Sequence, residues 1–296
     1  MLDITKEKAY KPIRKVKDDK FSIDKIEQYC LILVIGDRDL QVSIIDIKSN
    51  RVLILEDYSL NKTSDENQKV QVLKALFDSH HLLMVGFWKE VILCFKTPKY
   101  CLAPLSYFSK ENARAILKMN CEVHKDESVG YYKVNSNNSV NIFTYQKEVL
   151  KFVRSIYVNS KIKVTHQSGM LVNAVLYNPP FANDNELSLY IDRFYLHAAV
   201  TNKGKLLYFN SFKIQKFEEY TRYINLICNE FKILKKEGVI NLWGYIKHDS
   251  SHFNALKKDF PALKIGNRTK KLNFGFKFDE IAEHQYFDVF GNYFNL

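Results

Sequence analysis

Two short turns carry the residues of this chain that are best suited to bind an anion. The first turn reads IGDRD at positions 35–39, and the second reads IDRFY at positions 191–195. Both contain an Asp-Arg pair, and an arginine guanidinium can bind a phosphate through parallel hydrogen bonds. The same pair is also common in plain hairpins, because aspartate accepts hydrogen bonds from its own backbone in a turn. We favour the plain hairpin and keep a remodelled anion site as the alternative.

The histidines offer a second set of candidates. His248-Asp249-Ser250-Ser251-His252 could bring two imidazoles to one metal ion, but the run lacks the glutamate of a zinc-binding H-E-x-x-H helix. A helix start capped by Asp249 or Ser250 is the favoured interpretation. His80-His81 is placed at a helix C-terminus, where an imidazolium suits the helix dipole. We therefore predict no metal site.

Catalytic signatures are weak throughout the sequence. The run His166-Gln167-Ser168-Gly169 only partly resembles a nucleophile motif, and G-x-S-x-G does not occur. Neither a P-loop nor a dinucleotide-binding glycine pattern is present. We predict no catalytic residue and no cofactor.

The charge is positive and uneven. The net charge is +11, and the stretch 232–271 holds ten Lys or Arg against three acidic residues. Such a stretch can bind a polyanion such as RNA, or it can simply be a solvated face, which we favour. The candidate polyanion patch consists of Lys257, Lys258, Arg268, Lys270 and Lys271.

Aromatic residues alternate near the C-terminus. Phe274, Phe276 and Phe278 are predicted to lie on one face of a strand, which superficially resembles the base-stacking strand of RNA-recognition motifs. The glycines of that motif are missing. We expect the rings to close a core, together with Ile281, Phe287 and Phe290 on a following helix.

Length and composition indicate two ordinary domains. The 296 residues are 46% hydrophobic and 26% charged, with few glycines and prolines. The five cysteines show no metal-binding or disulfide spacing, and no apolar run is long enough to cross a membrane. We expect a cytoplasmic protein with buried thiols.

The two turns lie in a three-strand pattern that occurs twice. Alternating apolar residues predict antiparallel meanders over Cys30–Leu60 and Leu187–Ile214. Each is followed by helix and strand patterns, and Ser64 or Asp65 can cap the first helix. The predicted elements are a helix at 67–80, strands at 81–87 and 90–96, a helix at 217–236, a strand at 239–246, a helix at 251–259 and a strand at 262–265.

The division into domains follows from this pattern. We predict a basic N-terminal extension over 1–20, a first domain over 21–178 and a second domain over 179–296. The segment of about 97–160 is predicted to be a subdomain inserted in the first domain. Asn178-Pro179-Pro180 marks the boundary, because proline ends the preceding helix.

The order of elements resembles a known superfamily. Three antiparallel strands, helix, strand, helix, strand is the order of the ribonuclease H-like unit, and two such units resemble the actin, Hsp70 and sugar-kinase superfamily, an α/β class. Residues 96–177 look like the equivalent segment of the cytoplasmic actin-like proteins of type IV pili and type II secretion. The whole chain is most similar to the DUF3822 family of Bacteroidota and is identified as a member of it.

The resemblance implies degenerate phosphate-binding hairpins. In nucleotide-binding members of the superfamily, the turns are built as Asp-x-Gly, so that backbone N–H groups can approach the phosphates and the aspartate helps to organise the metal. Here Gly36 precedes Asp37, Asp39 adds a second carboxylate, and the second turn has no glycine. The adenosine motif centres on paired glycines, and none of the ten glycines here is adjacent to another. The residues of the degenerate hairpins are Gly36, Asp37, Arg38 and Asp39, and Asp192, Arg193 and Phe194.

Three functions remain open at this stage. The favoured one is a non-catalytic, cytoplasmic actin-like binding or scaffold protein with a protein partner, as the resemblance to pilus and secretion proteins implies. The first alternative is an RNA-associated accessory protein that uses the basic 232–271 region. The second is a divergent ATP-dependent phosphotransferase, which requires Asp37 or Asp192 to bind a metal.

Overall fold

The computed structural model of the chain describes residues 9–178 and 184–295. Within that part, the contacts divide the chain into two compact units. The first contains residues 9–133, 139–167 and 271–279, and the second contains 134–138, 168–178, 184–270 and 280–295. The division between the units lies at Gln167/Ser168, so Asn178 of the predicted boundary belongs to the second unit, whereas Pro179 and Pro180 lie outside the described residues.

The first unit holds a large and a small sheet. Its strands are β1 (Tyr10–Lys17), β2 (Tyr29–Ile35), β3 (Asp39–Asp46), β4 (Arg51–Leu60), β5 (Glu90–Phe95), β6 (Tyr100–Pro104), β7 (Ser128–Val134), β8 (Ser139–Tyr145) and β9 (Lys161–His166). Its helices are α1 (Glu66–Ser79), α2 (Ala113–Lys118) and α3 (Lys147–Ile156). The strand orders are β1-β4-β3-β2-β5-β9 in the large sheet and β6-β8-β7 in the small one.

The centre of the large sheet is β2. It pairs antiparallel with β3 and parallel with β5, and each of its seven residues is buried. A strand covered on both faces reads as a continuous apolar run, as YCLILVI does. Helix α1 packs Leu73, Leu76 and Phe77 into the same core. Its N-cap is Asp65, whose Oδ1 accepts a 2.9 Å hydrogen bond from the amide of Gln68, as predicted.

The small sheet and α2, which lie between β5 and α3 in the sequence, form a separate small core. Leu117 of α2 packs there against residues of β6 and β8 such as Cys101 and Ile142. Helix α3 instead buries Val149 and Val153 in the core of the large sheet. The predicted inserted segment of about 97–160 therefore includes a helix that belongs to the main core.

The second unit repeats the order of the first. Its strands are β10 (Asn185–Ile191), β11 (Tyr195–Asn202), β12 (Lys205–Lys213), β13 (Val239–Gly244) and β14 (Leu263–Ile265), in the sheet order β12-β11-β10-β13-β14. Its helices are α4 (Gln167–Leu176), which enters this unit at Ser168, α5 (Glu218–Glu230), α6 (Ser251–Asp259) and α7 (Phe287–Gly291). Again the first strand of the meander, β10, pairs antiparallel with β11 and parallel with β13. In each unit, the Asp-Arg turn therefore lies at the carboxyl end of a central strand.

Residues 10–17 are part of the large sheet. They fall in the predicted N-terminal extension, but they form β1, which pairs antiparallel with β4 at the edge of the sheet. The register of this pairing shifts between Pro12 and Arg14. Only Val16 of this strand is buried, so its apolar pattern is too weak to predict a strand.

The strand predicted at 81–87 is wrong. Residues 81–84 form a turn that places the consecutive residues Leu82 and Leu83 in the core, and the amide of Val85 donates to the carbonyl of Leu82. The apolar run arises because a buried turn joins α1 to β5.

The helix predicted at 217–236 ends at Glu230. Lys232 adopts a left-handed φ of 54°, its amide donates to Asn229 O at 3.4 Å, and the amide of Ile233 donates to Cys228 O at 2.8 Å. These two bonds are those of a Schellman motif. The motif most often has glycine at the left-handed position. Because this position is a lysine here, the sequence gives no signal for the end of the helix.

The aromatic strand predicted at 274–278 is also wrong. Residues Phe276–Glu280 form a 3₁₀ helix, in which Phe278 is fully buried and Phe276 is 72% exposed. The three rings therefore do not share one face, and the resemblance to a base-stacking strand is lost. Ile281 precedes α7 and is buried, as are Phe287 and Phe290 within it.

A buried polar network joins β4 to the end of α1. Glu56 accepts hydrogen bonds from Tyr58 Oη and from His80 Nε2, the latter at 2.7 Å. Burial alone would raise the pKa of Glu56, but these two hydrogen bonds outweigh it and hold the pKa below its ordinary value. His80 thus serves structure, in agreement with its predicted role at the helix end.

We predict that Glu56→Gln destabilises the chain by about 1.5–3 kcal/mol at neutral pH, because hydrogen bonds to a charged group are lost. Because the pKa of Glu56 is lower in the folded chain than in the unfolded one, ionised Glu56 stabilises the fold at pH values above its unfolded pKa. This contribution is lost as the pH falls through the folded-state pKa. The difference between wild type and variant should therefore shrink below about pH 4.5. Urea unfolding across pH 3–8 measures it, with exposed Glu27→Gln as the control; a constant difference would contradict the prediction.

Candidate functional site in the two Asp-Arg hairpins

The first hairpin joins β2 to β3 through residues 36–38. The Gly36 amide donates to the carbonyl of Asp39 at 3.0 Å, which closes the turn. Asp37 and Arg38 are exposed, whereas Asp39 is buried. The carbonyl of Arg38 also accepts a 2.8 Å bond from the amide of Leu60 at the end of β4. The backbone of this turn is therefore fixed by the sheet.

A lysine from α1 binds the carbonyls of this hairpin. Lys69 is fully buried, and its Nζ donates 2.7 Å hydrogen bonds to the carbonyl oxygens of Gly36 and Asp37. Burial lowers the pKa of Lys69 to about 8, although the carboxylates of Asp39 and Asp37 oppose the shift. Lys69 is not among the candidate residues predicted from the sequence. The available signal was its spacing, since Lys69 precedes Leu73 and Leu76 by four and seven positions and so lies on the apolar face of the helix.

The carboxylate of Asp39 folds back over the glycine. Lys96 Nζ bonds Asp39 Oδ2 at 3.0 Å, and the two side chains are only 7% and 8% exposed. A Cβ atom built on Gly36 would lie 1.9 Å from Asp39 Oδ1. The absence of a side chain at Gly36 thus makes room for a carboxylate of the protein itself.

The second hairpin is built around another buried carboxylate. The amide of Asp192 donates to Tyr195 O at 2.8 Å, and Asp192 Oδ1 accepts a 2.7 Å bond from the amide of Arg193. Its Oδ2 lies 4.0 Å from Nε2 of His197. This is the turn chemistry that the sequence predicts for an aspartate. The exposed ring at the tip is Phe194, at 43% exposure.

An arginine and a tyrosine pack beside this turn. The Arg193 guanidinium lies over the ring of Tyr245, 5.1 Å from its centroid. Tyr245 follows Gly244, which has φ +105°; a Cβ there would lie 2.0 Å from Ile191 O. The amide of Tyr245 donates to that same carbonyl at 2.8 Å. Gly244 at the end of β13 therefore allows the backbone of β13 to lie close to the end of β10.

The histidine candidates have structural roles. Ser250 is the N-cap of α6, with its Oγ accepting from the amide of Phe253 at 3.2 Å, while His248 and Asp249 form an exposed pair. His166 Nε2 lies 2.9 Å from the carbonyl oxygen of Thr97. Over residues 9–178 and 184–295, no three His, Cys, Asp or Glu side chains are grouped so that they could hold a metal ion.

The members of the predicted polyanion patch have different environments. Lys257 Nζ donates to the carbonyls of Pro261 and Leu263, so this cation holds its own chain at the end of α6. Arg268 Nη2 donates to the carbonyl of Ile281 at 2.7 Å. Lys270 lines a cavity of the second unit, and Lys258 and Lys271 are exposed. RNA binding by these residues stays a prediction.

Comparison with known proteins assigns the family. A family model described as "Protein of unknown function (DUF3822)" matches residues 18–263, which is most of the chain. The chain belongs to the DUF3822 family. No curated protein matches its sequence. The resemblance to this family, predicted from the sequence, is confirmed.

Solved structures similar to this DUF3822 protein establish its fold. One is a Bacteroides thetaiotaomicron protein with an actin-like ATPase fold and unknown function, at 19% identity and a TM-score of 0.71, over 83% of this chain and 93% of that one. Another is a chain of the PilM-PilN type IV pilus biogenesis complex, at 12% identity and a TM-score of 0.63, over 90% and 98%. The predicted actin-like fold with ribonuclease H-like units is confirmed. Among the described helices of the DUF3822 chain, none has the length and apolarity needed to cross a bilayer.

We predict that the contribution of Lys69 to stability depends on alkaline pH. Its folded-state pKa of about 8 lies below the ordinary value of 10.5, so stability relative to an uncharged residue is reduced below pH 8 and rises between pH 8 and 10.5. The unfolding free energy of wild type minus that of Lys69→Met should therefore increase over this range. Urea unfolding at pH 7, 9 and 10 measures it, with exposed Lys74→Met as the control. A difference that does not change with pH would contradict the assignment.

Proposed function

We propose that this DUF3822 protein is a non-catalytic binding or scaffold protein whose hairpins do not accept ATP phosphates. The observation that carries the proposal is the Asp39 carboxylate, which lies over Gly36 and is paired with Lys96. A phosphate that approached the Gly36 backbone would meet this carboxylate at short range. Like charges repel strongly where water is excluded.

Displacing the carboxylate has its own cost. Separating a buried ion pair leaves uncompensated charges and typically costs about 3–5 kcal/mol. Lys69 is not available to bind a phosphate in place of Asp39, because its ammonium group already binds the two hairpin carbonyls. In the second hairpin, the amide of Arg193 donates to Asp192, and its guanidinium lies on Tyr245. Both turns therefore satisfy their own polar groups, which supports a loss of nucleotide binding.

A protein partner is the second part of the proposal. The similar chain of known structure was solved in the PilM-PilN complex, and this supports a protein partner for the DUF3822 chain. We place this role in the cytoplasm. All five cysteines are free, and four of them are buried, as suits a reducing compartment.

We predict that Mg-ATP at millimolar concentration does not shift the melting temperature of the chain. A ligand present at a hundred times its dissociation constant would stabilise it by about 2.7 kcal/mol. The measurement is a thermal-shift titration of wild type, Asp37→Asn and Asp192→Asn. A saturable rise in wild type that either substitution removes would support the phosphotransferase alternative and refute the proposal.

We predict that the tagged full-length chain, captured from its native cells, brings down one protein in stoichiometric amount. The complex should persist when Asp37 and Asp192 are both replaced by Asn, because neither carboxylate is required for a non-catalytic role. Capture with the tag alone is the control. Recovery of no stoichiometric protein, or of RNA that is lost at high salt, would count against the scaffold proposal.

A further inference from the structure

One face of the second sheet changes from apolar to polar along its length. In β10, Leu187 and Leu189 point into the core under α5 and α6, so Glu186, Ser188 and Tyr190 lie on the opposite face. On that opposite face, the end near Tyr190 is covered by an apolar cluster. The cluster consists of Leu171, Ala174, Val175, Tyr190, Ala199, Trp243 and Phe287. At the other end of β10, polar side chains replace the apolar layer.

A cavity of about 480 Å³ lies over this polar end. Pockets for small molecules commonly measure about 300–1,000 Å³. The strands contribute Glu186 and Ser188 from β10, Asn241 and Trp243 from β13, and Lys264 from β14. All lining residues belong to the second unit, and the cavity is on the sheet face opposite α5 and α6.

Ser188 is the polar group that points to a ligand. It is 7% exposed, and its side chain lines the cavity. A serine hydroxyl at a cavity wall can donate a hydrogen bond to a bound molecule and accept one from it. The amide of Asn241 faces the same space from the neighbouring strand, since Ser188 and Asn241 are partners in the parallel register. The two side chains offer a donor and acceptor pair to one ligand.

The charge of the lining selects the kind of ligand. Three cations, Lys264, Arg268 and Lys270, line the cavity against one carboxylate, Glu186. The carbonyl of Ile281 holds one arm of Arg268 in place. Lysine and arginine together bind a phosphate group through charge-assisted hydrogen bonds.

We propose that this cavity binds a small phosphomonoester, with the phosphate at Lys264, Arg268 and Lys270 and the hydroxyl groups of its body at Ser188 and Asn241. The site is separate from both Asp-Arg hairpins. A hydroxylated body fits this end of the cavity because the strand face supplies a hydroxyl and an amide. The DUF3822 chain would thus sense or store a phosphorylated metabolite without hydrolysing ATP.

The test is a titration of the full chain with inorganic phosphate, glucose 6-phosphate and unphosphorylated glucose, followed by calorimetry and thermal shift. Glucose 6-phosphate should bind more tightly than phosphate, and glucose should not bind. Lys264→Gln/Lys270→Gln should weaken glucose 6-phosphate at least about tenfold, as expected for the loss of charge-assisted bonds. Ser188→Ala should weaken glucose 6-phosphate severalfold while leaving inorganic phosphate unchanged.

The controls separate this cavity from other sites. Lys258→Gln removes an exposed cation from α6 and should leave both affinities unchanged, as should Asp37→Asn in the first hairpin. Circular dichroism verifies that each variant is folded. No saturable binding of either phosphate compound to wild type at about 10 mM would overturn the proposal. Equal affinities of wild type and Lys264→Gln/Lys270→Gln would overturn it as well.

Discussion

A buried ammonium group organises the first hairpin. Lys69 reaches from α1 through the core to the carbonyls of Gly36 and Asp37, and so ties the helix to the turn between the two central strands. The burial of this cation is tolerated because two carbonyl oxygens accept hydrogen bonds from its ammonium group and the carboxylates of Asp39 and Asp37 lie near. The same turn is closed by the bond from the Gly36 amide to the Asp39 carbonyl, and the Asp39 carboxylate pairs with Lys96. A hairpin built in this way uses its polar groups for stability.

In the second unit, the polar groups of the hairpin are bound through different contacts. There a carboxylate receives a hydrogen bond from the next amide in the turn, and the arginine packs on an aromatic ring. The two units share strand order and turn position, yet Asp192 accepts a bond from its own turn, whereas lysines outside the first turn bind its carbonyls and Asp39. If neither turn binds phosphate, as we propose, the two turns can share a backbone geometry and differ in their side chains.

Much of the architecture could be predicted from the sequence, because buried faces of strands and helices place apolar residues at regular spacings. Helix α6 begins and ends at the predicted residues, since Ser250 caps it and Pro261 follows it. Lys69 could not be assigned, because a charged residue on an apolar helix face looks like an irregularity until its two carbonyl partners are seen. Helix α5 was predicted too long, because Lys232 takes a left-handed conformation that the sequence does not announce. Arg268 and Lys270 of the cavity belong to the predicted polyanion patch, but Ser188 was not predicted, because a single serine between two leucines in a strand is typical of a surface position.

The edge strand β1 has a consequence for association between molecules. An exposed edge presents unpaired backbone groups to which another strand can add. Pro12 has no amide hydrogen to offer, and the register shift that follows it bends the edge away from a regular ladder. Lysines and an arginine flank this site, since Lys11, Arg14, Lys15 and Lys17 all belong to the strand. These features of β1 disfavour the addition of a further strand, from this or another molecule, to this edge of the large sheet.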